Sequence, residues 1–269
     1  MKIALIGSSG EIGQLIQKRV LLKNKYNYVR FGRTEDRLGS LNGIAFCEYD
    51  FIEDDLILDE EFDYVIHCAY DFKDLRISEE NVNYKAIQKI NFNRNCKIIY
   101  ISSVLAENSF SNYGRVKKKI ENLVCENGGF SLRIGIVESK IPISNIKLLT
   151  DLATRMRILI LPGLDSQVLI SNDEKVAETL IDIIENKVKL KETPIIFAVS
   201  YISTLRTCIR KIISHKIILI NLPLNLLNPM FYFSKRIKFI RPISDKFENL
   251  KLAPQQYSSW GRSNNSEHQ

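Results

Sequence analysis

The chain has 269 residues, 45% hydrophobic and 26% charged, a composition that excludes a disordered or fibrous protein and allows one large core with a smaller appendage. Its net charge of +7 suits an anionic ligand or surface without choosing among nucleotides, phosphates, nucleic acid and acidic headgroups. Five scattered cysteines without a C-x-x-C pair, and three histidines far apart in sequence, exclude a disulfide framework and give no metal site.

The N-terminal KIALI predicts a short buried strand that runs directly into a glycine turn, with no cleavage region of the kind a secretory leader carries. The turn GSSGEIG holds Gly7, Gly10 and Gly13, and the following EIGQLIQKRVLLKN has apolar residues at helical spacing. Three spaced glycines alone also fit a structural turn, but strand, glycine turn and helix in that order predict a dinucleotide site. Backbone N–H groups reach a pyrophosphate, the helix N-terminus favours its charge, and Gly13 lets the helix approach the sheet.

YNYVRFG predicts the second strand. Where an acidic residue would take a ribose diol, the sequence reads FGRT, so Arg33 is either the partner of a 2′-phosphate, implying NADP, or a solvated arginine. AFCEYD is the third strand. Asp50 closes it, either as an acceptor for an adenine amino group or as an ordinary loop-start aspartate.

FDYVIHCAY, CKIIYISS and GFSLRIGIV predict further strands, and NVNYKAIQKINFN and NYGRVKKKIENLVCEN predict helices between them. The alternation predicts an α/β protein with a Rossmann-like, doubly wound parallel sheet. In the last helix Tyr113 and Lys117 stand four apart and share a face. Of eleven tyrosines only Tyr113 has a lysine at that spacing. A nearby ammonium favours the phenolate, so the pair suits proton transfer at a carbinol or ketone while hydride moves on a nicotinamide. Ser102 or Ser103, at the end of the preceding strand, would orient the same oxygen.

GSSGEIG, DYVIHCAY, VNYKAI, YISS and YGRVKKKIE together resemble the extended short-chain dehydrogenase/reductases, in particular the NAD-dependent epimerase/dehydratase branch acting on nucleotide sugars. The resemblance covers residues 1–138 and extends through LISNDEKVAETL at 165–190. It implies Tyr113 as acid/base, Lys117 as its electrostatic partner and ribose anchor, and Ser103 as the third catalytic group. It also implies a phosphate turn at Gly7, Gly10, Glu11, Ile12 and Gly13, an adenine contact at Asp50 and Phe51, and a cofactor wall at Cys68 and Ala69. Asn83 matches an asparagine of the family's helix. Two departures are evident. The Ser103–Tyr113 interval is short for a nucleotide-sugar epimerase, and SSVL replaces the Thr-Asp-Glu arrangement of dehydratases, which disfavours water elimination.

The expected organisation is a dinucleotide-binding core at 1–138, rejoined by 165–190, a smaller substrate-binding portion at 139–164 and 191–257, and a disordered tail at 258–269. SNDEKVAETLIDIIEN predicts a helix opened by a capping box from Ser171 to Glu174. The stretch 205–244 mixes basic and apolar residues. It reads either as helices of the substrate portion or as a peripheral membrane surface suited to a polyprenyl-linked sugar, not as a nucleic-acid surface. Its prolines and asparagines argue against a spanning helix.

The reading is therefore an NAD(P)-dependent sugar 4-epimerase or 4-ketoreductase of glycan or surface-polysaccharide synthesis, cytoplasmic or peripheral at the inner face of a membrane. By family analogy it would dimerise through the tyrosine helix and its neighbour. The competing reading is a non-enzymatic NAD(P)-binding sensor or assembly module.

Overall fold

The computed structural model describes residues 1–24, 26–33, 44–54, 62–74, 76–90, 96–107, 111–138, 157–162, 164–187, 194–212 and 217–222. The chain divides into two compact units. The first joins Met1–Val137 to Ser171–Ser200, and the second is built from the described parts of Glu138–Ile170 and Tyr201–Gln269.

The first unit is a seven-stranded parallel sheet covered by helices, as the alternating sequence pattern predicts. Its strands are β1 (Lys2–Ile6), β2 (Asn27–Gly32), β3 (Phe46–Glu48), β4 (Tyr64–His67), β5 (Lys97–Ser103), β6 (Phe130–Ile134) and β10 (Ile195–Ala198), in spatial order β10-β6-β5-β4-β1-β2-β3. The inner strands are apolar on both faces because helices cover both sides of the sheet. Ile3, Leu5, Val65, Ile66, Ile99 and Leu132 have no exposed surface. Strand β1 pairs with β2 on one side and with β4 on the other, so the chain leaves it in opposite directions. Ligands of open parallel sheets bind at the carboxyl ends of strands at such a reversal.

Helix α1 (Glu11–Ile16) continues as a π-helical turn over Gln17–Leu21. Helix α2 (Val82–Lys89) is capped by the Asn81 side chain, which accepts from the N–H groups of Asn83 and Tyr84. Helix α3 (Asn112–Glu126) is capped by Ser111, whose hydroxyl accepts from the Gly114 N–H at 3.0 Å. Gly114 has no room for a side chain, since a Cβ there would lie 2.4 Å from the Leu105 carbonyl oxygen. The helix is thereby held against the end of β5.

Helix α4 (Asp173–Ile184) corrects one sequence expectation. Its N-cap is Asn172, accepting from the Lys175 N–H at 2.8 Å, and not Ser171. Ser171 still belongs to the strand, where its hydroxyl accepts from the Gly135 N–H and donates to the Ala198 carbonyl. A second difference concerns β10. The sequence reading put 191–257 in the smaller portion, but β10 pairs in parallel with β6 and extends the main sheet.

Strand β7 (Ile136–Glu138) ends the long first stretch. In the second unit the Gln167–Ile170 part of β9 (Gln167–Asn172) pairs antiparallel with β11 (Tyr201–Thr204), and β8 (Ile158–Pro162) pairs in parallel with β12 (Ile218–Leu222). Helix α5 (Leu205–Ile212) carries Arg206, which pairs with Asp165 at 2.6 Å. Among the described residues no helix is long and apolar enough to cross a membrane. The proposed tail at 258–269 and most of the basic, apolar stretch at 205–244 lie outside the described residues.

Candidate active site

The glycine turn lies at the end of β1, where the strand order reverses. Gly7 has a positive φ of 84°, and a Cβ on it would fall 2.6 Å from the Ala69 nitrogen. At Gly13 a Cβ would stand 2.2 Å from the Gly7 carbonyl oxygen. Neither position has room for a side chain, so the backbone of the turn stays bare and close to the sheet. No side chain caps α1 at Gly10, and Glu11 and Ile12 open its first turn. Those first-turn N–H groups suit a pyrophosphate, and the residues present therefore fit a dinucleotide.

Several contacts fix the turn. The Phe31 carbonyl accepts from the N–H groups of Gly7 and Ser8 at 2.9 and 3.2 Å. Gln17, fully buried in the π-helical turn, donates from Nε2 to the Ser8 carbonyl at 2.9 Å. Sequence reading missed Gln17, because it looks like one polar residue among several on an amphipathic helix. A π turn is a frequent mark of functional sites, but it is visible only in the fold.

Arg33 follows β2 directly and is exposed. Beside it, a Cβ on Gly32 would lie 3.4 Å from the hydroxyls of both Ser8 and Ser9. Asp50 follows β3, where Oδ1 accepts from the Ile52 N–H at 3.0 Å and so shapes its own turn. Phe51 is buried edge-on to His67, with ring centroids 6.2 Å apart. Cys68 donates from Sγ to the Ile6 carbonyl at 2.9 Å, and burial pushes its thiol up to about 12, so it is an inert wall rather than a thiolate. Ala69 underlies Gly7.

Ser103, Tyr113 and Lys117 come together at the carboxyl end of β5. The Ser103 hydroxyl hydrogen-bonds with that of Tyr113. Burial pushes the Tyr113 phenol up to about 12, and the bond from Ser103 acts in the opposite sense. Lys117 is only 5% exposed and donates from Nζ to the Ile101 carbonyl at 2.9 Å. Burial holds its ammonium down to about 7, against the opposing pull of Glu121 and then Cys68. Glu121, the next turn along α3, makes two short bonds with Arg133 of β6, at 2.8 and 2.7 Å.

Two aromatic neighbours of Tyr113 were not foreseen. Tyr70 meets its ring edge to face at 5.2 Å, and Phe72, 55% exposed, stacks on it at 5.9 Å with 14° between planes. Both come from the loop after β4, which Asn83 anchors. Its side chain accepts from the Asp71 N–H at 2.6 Å and donates to the Asp71 carbonyl at 3.0 Å. The sequence signal was present in HCAYDFKD, but an aromatic pair in a loop does not announce which ring it will meet.

No protein-family model and no curated protein sequence matches the chain. Solved structures match its fold at low sequence identity. A nucleoside-diphosphate-sugar epimerase from Staphylococcus aureus is 14% identical with a TM-score of 0.65, covering 94% of this chain and 91% of its own. A UDP-glucuronic acid 4-epimerase from Bacillus cereus, in complex with NAD, is 17% identical with a TM-score of 0.64, covering 82% and 87%. L-threonine 3-dehydrogenase from Trypanosoma brucei is 14% identical with a TM-score of 0.62, covering 82% and 84%. These likenesses establish the Rossmann-like fold. Because their named reactions differ, they leave the substrate to the site's own chemistry.

Proposed function

We propose that the protein is an NAD(P)-dependent oxidoreductase or epimerase acting at a carbinol or keto carbon of a sugar, in the form of a nucleotide sugar. The supporting observation is the Ser103–Tyr113–Lys117 set, built at the carboxyl end of β5 on the sheet that carries the glycine turn. Two of the fold neighbours are named as sugar-nucleotide epimerases, which favours the same substrate class.

A bound nicotinamide supplies or accepts the hydride. Ser103 hydrogen-bonds the substrate oxygen and orients it. Tyr113 takes the proton from a hydroxyl as it becomes a carbonyl, or returns it in the reverse direction. The Lys117 cation lowers the cost of the phenolate. Through Gly7, Gly10, Glu11, Ile12 and Gly13 the turn would hold the pyrophosphate, and Asp50 and Phe51 would serve the adenine. Arg33, beside the side-chain-free Gly32, would pair with a 2′-phosphate and so favour NADP. A homodimer through α3 is the proposed assembly.

Tyr113→Phe tests the reading. It is expected to lower kcat/KM by about 10²–10⁴-fold while dinucleotide affinity stays within about twofold of wild type. Near-wild-type turnover would overturn it. Denaturing freshly purified protein and weighing any released dinucleotide separates the two activities. Retained NAD(H) marks an epimerase that recycles its cofactor and removes the case for Arg33. Empty protein that binds NADPH more tightly than NADH, with the preference lost in Arg33→Ala, marks a reductase.

A further inference from the structure

Lys117 reaches the site through an unusual passage. Its ammonium lies 4.4 Å from the ring centroid of Tyr70, 4.5 Å from that of Tyr100 and 5.9 Å from that of Tyr113. The three rings come from three places: the loop after β4, the core of β5, and the preceding turn of α3. Tyr100 is 1% exposed, so that wall is dry. The Ile101 carbonyl satisfies one of the ammonium's three donors. A buried cation with so little polar company is costly unless something else stabilises the charge. Aromatic faces within about 6 Å do so through their quadrupoles, and most strongly where water is excluded.

We propose that Tyr70 and Tyr100 are positioning residues for Lys117, forming with Tyr113 an aromatic cage that favours the charged ammonium against its burial and aims it before any cofactor binds. Asn83 belongs to the same device at one remove, because it pins Asp71 and with it the neighbouring Tyr70. The role of the cage in turnover rests on the proposed function, but its effect on the lysine does not. The titratable groups facing Lys117 are His67 at the end of β4 and Cys68 just after it, Tyr70, Tyr100, and on its own helix Tyr113 and Glu121. Burial keeps His67 neutral and Cys68 protonated at neutral pH, and Glu121, bonded to Arg133, also favours the charged lysine. Beyond the Ile101 carbonyl, the faces packed against the ammonium itself are aromatic.

The test follows the lysine directly, in the whole chain without cofactor. Lysine is labelled with 13C at Cε, and the Lys117 resonance is assigned by its disappearance in Lys117→Arg. It is then titrated in wild type, Tyr70→Phe and Tyr70→Leu, each first shown to be folded by circular dichroism. Tyr70→Leu removes one face and is expected to lower the midpoint by about one pH unit. Tyr70→Phe keeps the face and is expected to titrate as wild type does. An unchanged midpoint in Tyr70→Leu would overturn the cage. So would a shift in Tyr70→Phe as large as that in Tyr70→Leu, since the hydroxyl would then be responsible. If Tyr113→Phe kept its turnover while Tyr70→Leu still shifted the lysine, the enzyme assignment would fall and the cage would stand.

Discussion

His67 closes β4 inside the core, 2% exposed, with no hydrogen-bond partner at Nδ1. Burial, and then the nearby Lys117 cation, push its ring from the ordinary 6.5 down to about 3. The folded protein thus refuses a proton that the unfolded chain accepts from pH 6.5 downward. Stability is present above that value and is lost as pH falls towards 3, by up to about 1.4 kcal/mol per pH unit from this group alone. His67→Phe is expected to flatten that part of the profile, measured as the difference between urea midpoints at pH 7 and pH 4. Lys117 acts in the same sense over a higher window. Its folded value of about 7 lies below the ordinary 10.5, so its burial cost is felt below pH 7 and is relieved as pH rises to 10.5.

At the scale of elements, the buried Arg133–Glu121 pair ties α3 to β6, and Glu107 also reaches Arg133 from the turn after β5. Removing Arg133 strips the fully buried Glu121 carboxylate of its two short bonds and leaves it the partly exposed Lys118 at 3.7 Å. Arg133→Ala is therefore expected to cost about 3–5 kcal/mol in chemical denaturation. The double change Arg133→Met with Glu121→Leu should cost much less, since apolar side chains of similar volume need no partner. Asn172→Ala should cost about 1 kcal/mol as a lost cap. That cap shows where local reading stops. Ser171 and Asn172 are both good N-cap residues, and only the tertiary bonds of Ser171 to Gly135 and Ala198 decide between them. The Tyr113–Lys117 face was legible because helix geometry alone brings i and i+4 together. Tyr70 and Tyr100 were not, because each meets Lys117 through a contact distant in sequence, and Gln17 was not, because only the π-helical turn aims it at Ser8, nine residues back.

For the whole molecule, the position of the glycine turn was legible from the order strand, turn, helix, and the parallel sheet from the repeated alternation. The place of β10 was not, because IIFA carries no period that names its neighbour. The turn and sheet together give a test of ligand linkage. NAD(P)H at about 100 times its dissociation constant should stabilise the fold by about 2.7 kcal/mol, read as a rise in melting temperature. Gly13→Ala should abolish that rise, since its Cβ would force Gly7 and Ser8 apart from the helix.

The outermost strand has a further consequence for synthesis. β10 reaches β6 only after the chain has passed through β8 and β9, and the Pro194 carbonyl accepts from the Ser131 N–H at 2.8 Å as it arrives. During translation, β6 therefore emerges with one side of its backbone unpaired for some sixty residues, about 3–12 s at ribosomal speeds of 5–20 residues per second. An open, apolar parallel edge is a template for the wrong partner. The nascent chain is most exposed to misassembly in that interval, and slowing elongation between residues 134 and 195 should lower its soluble yield more than slowing it anywhere before β5.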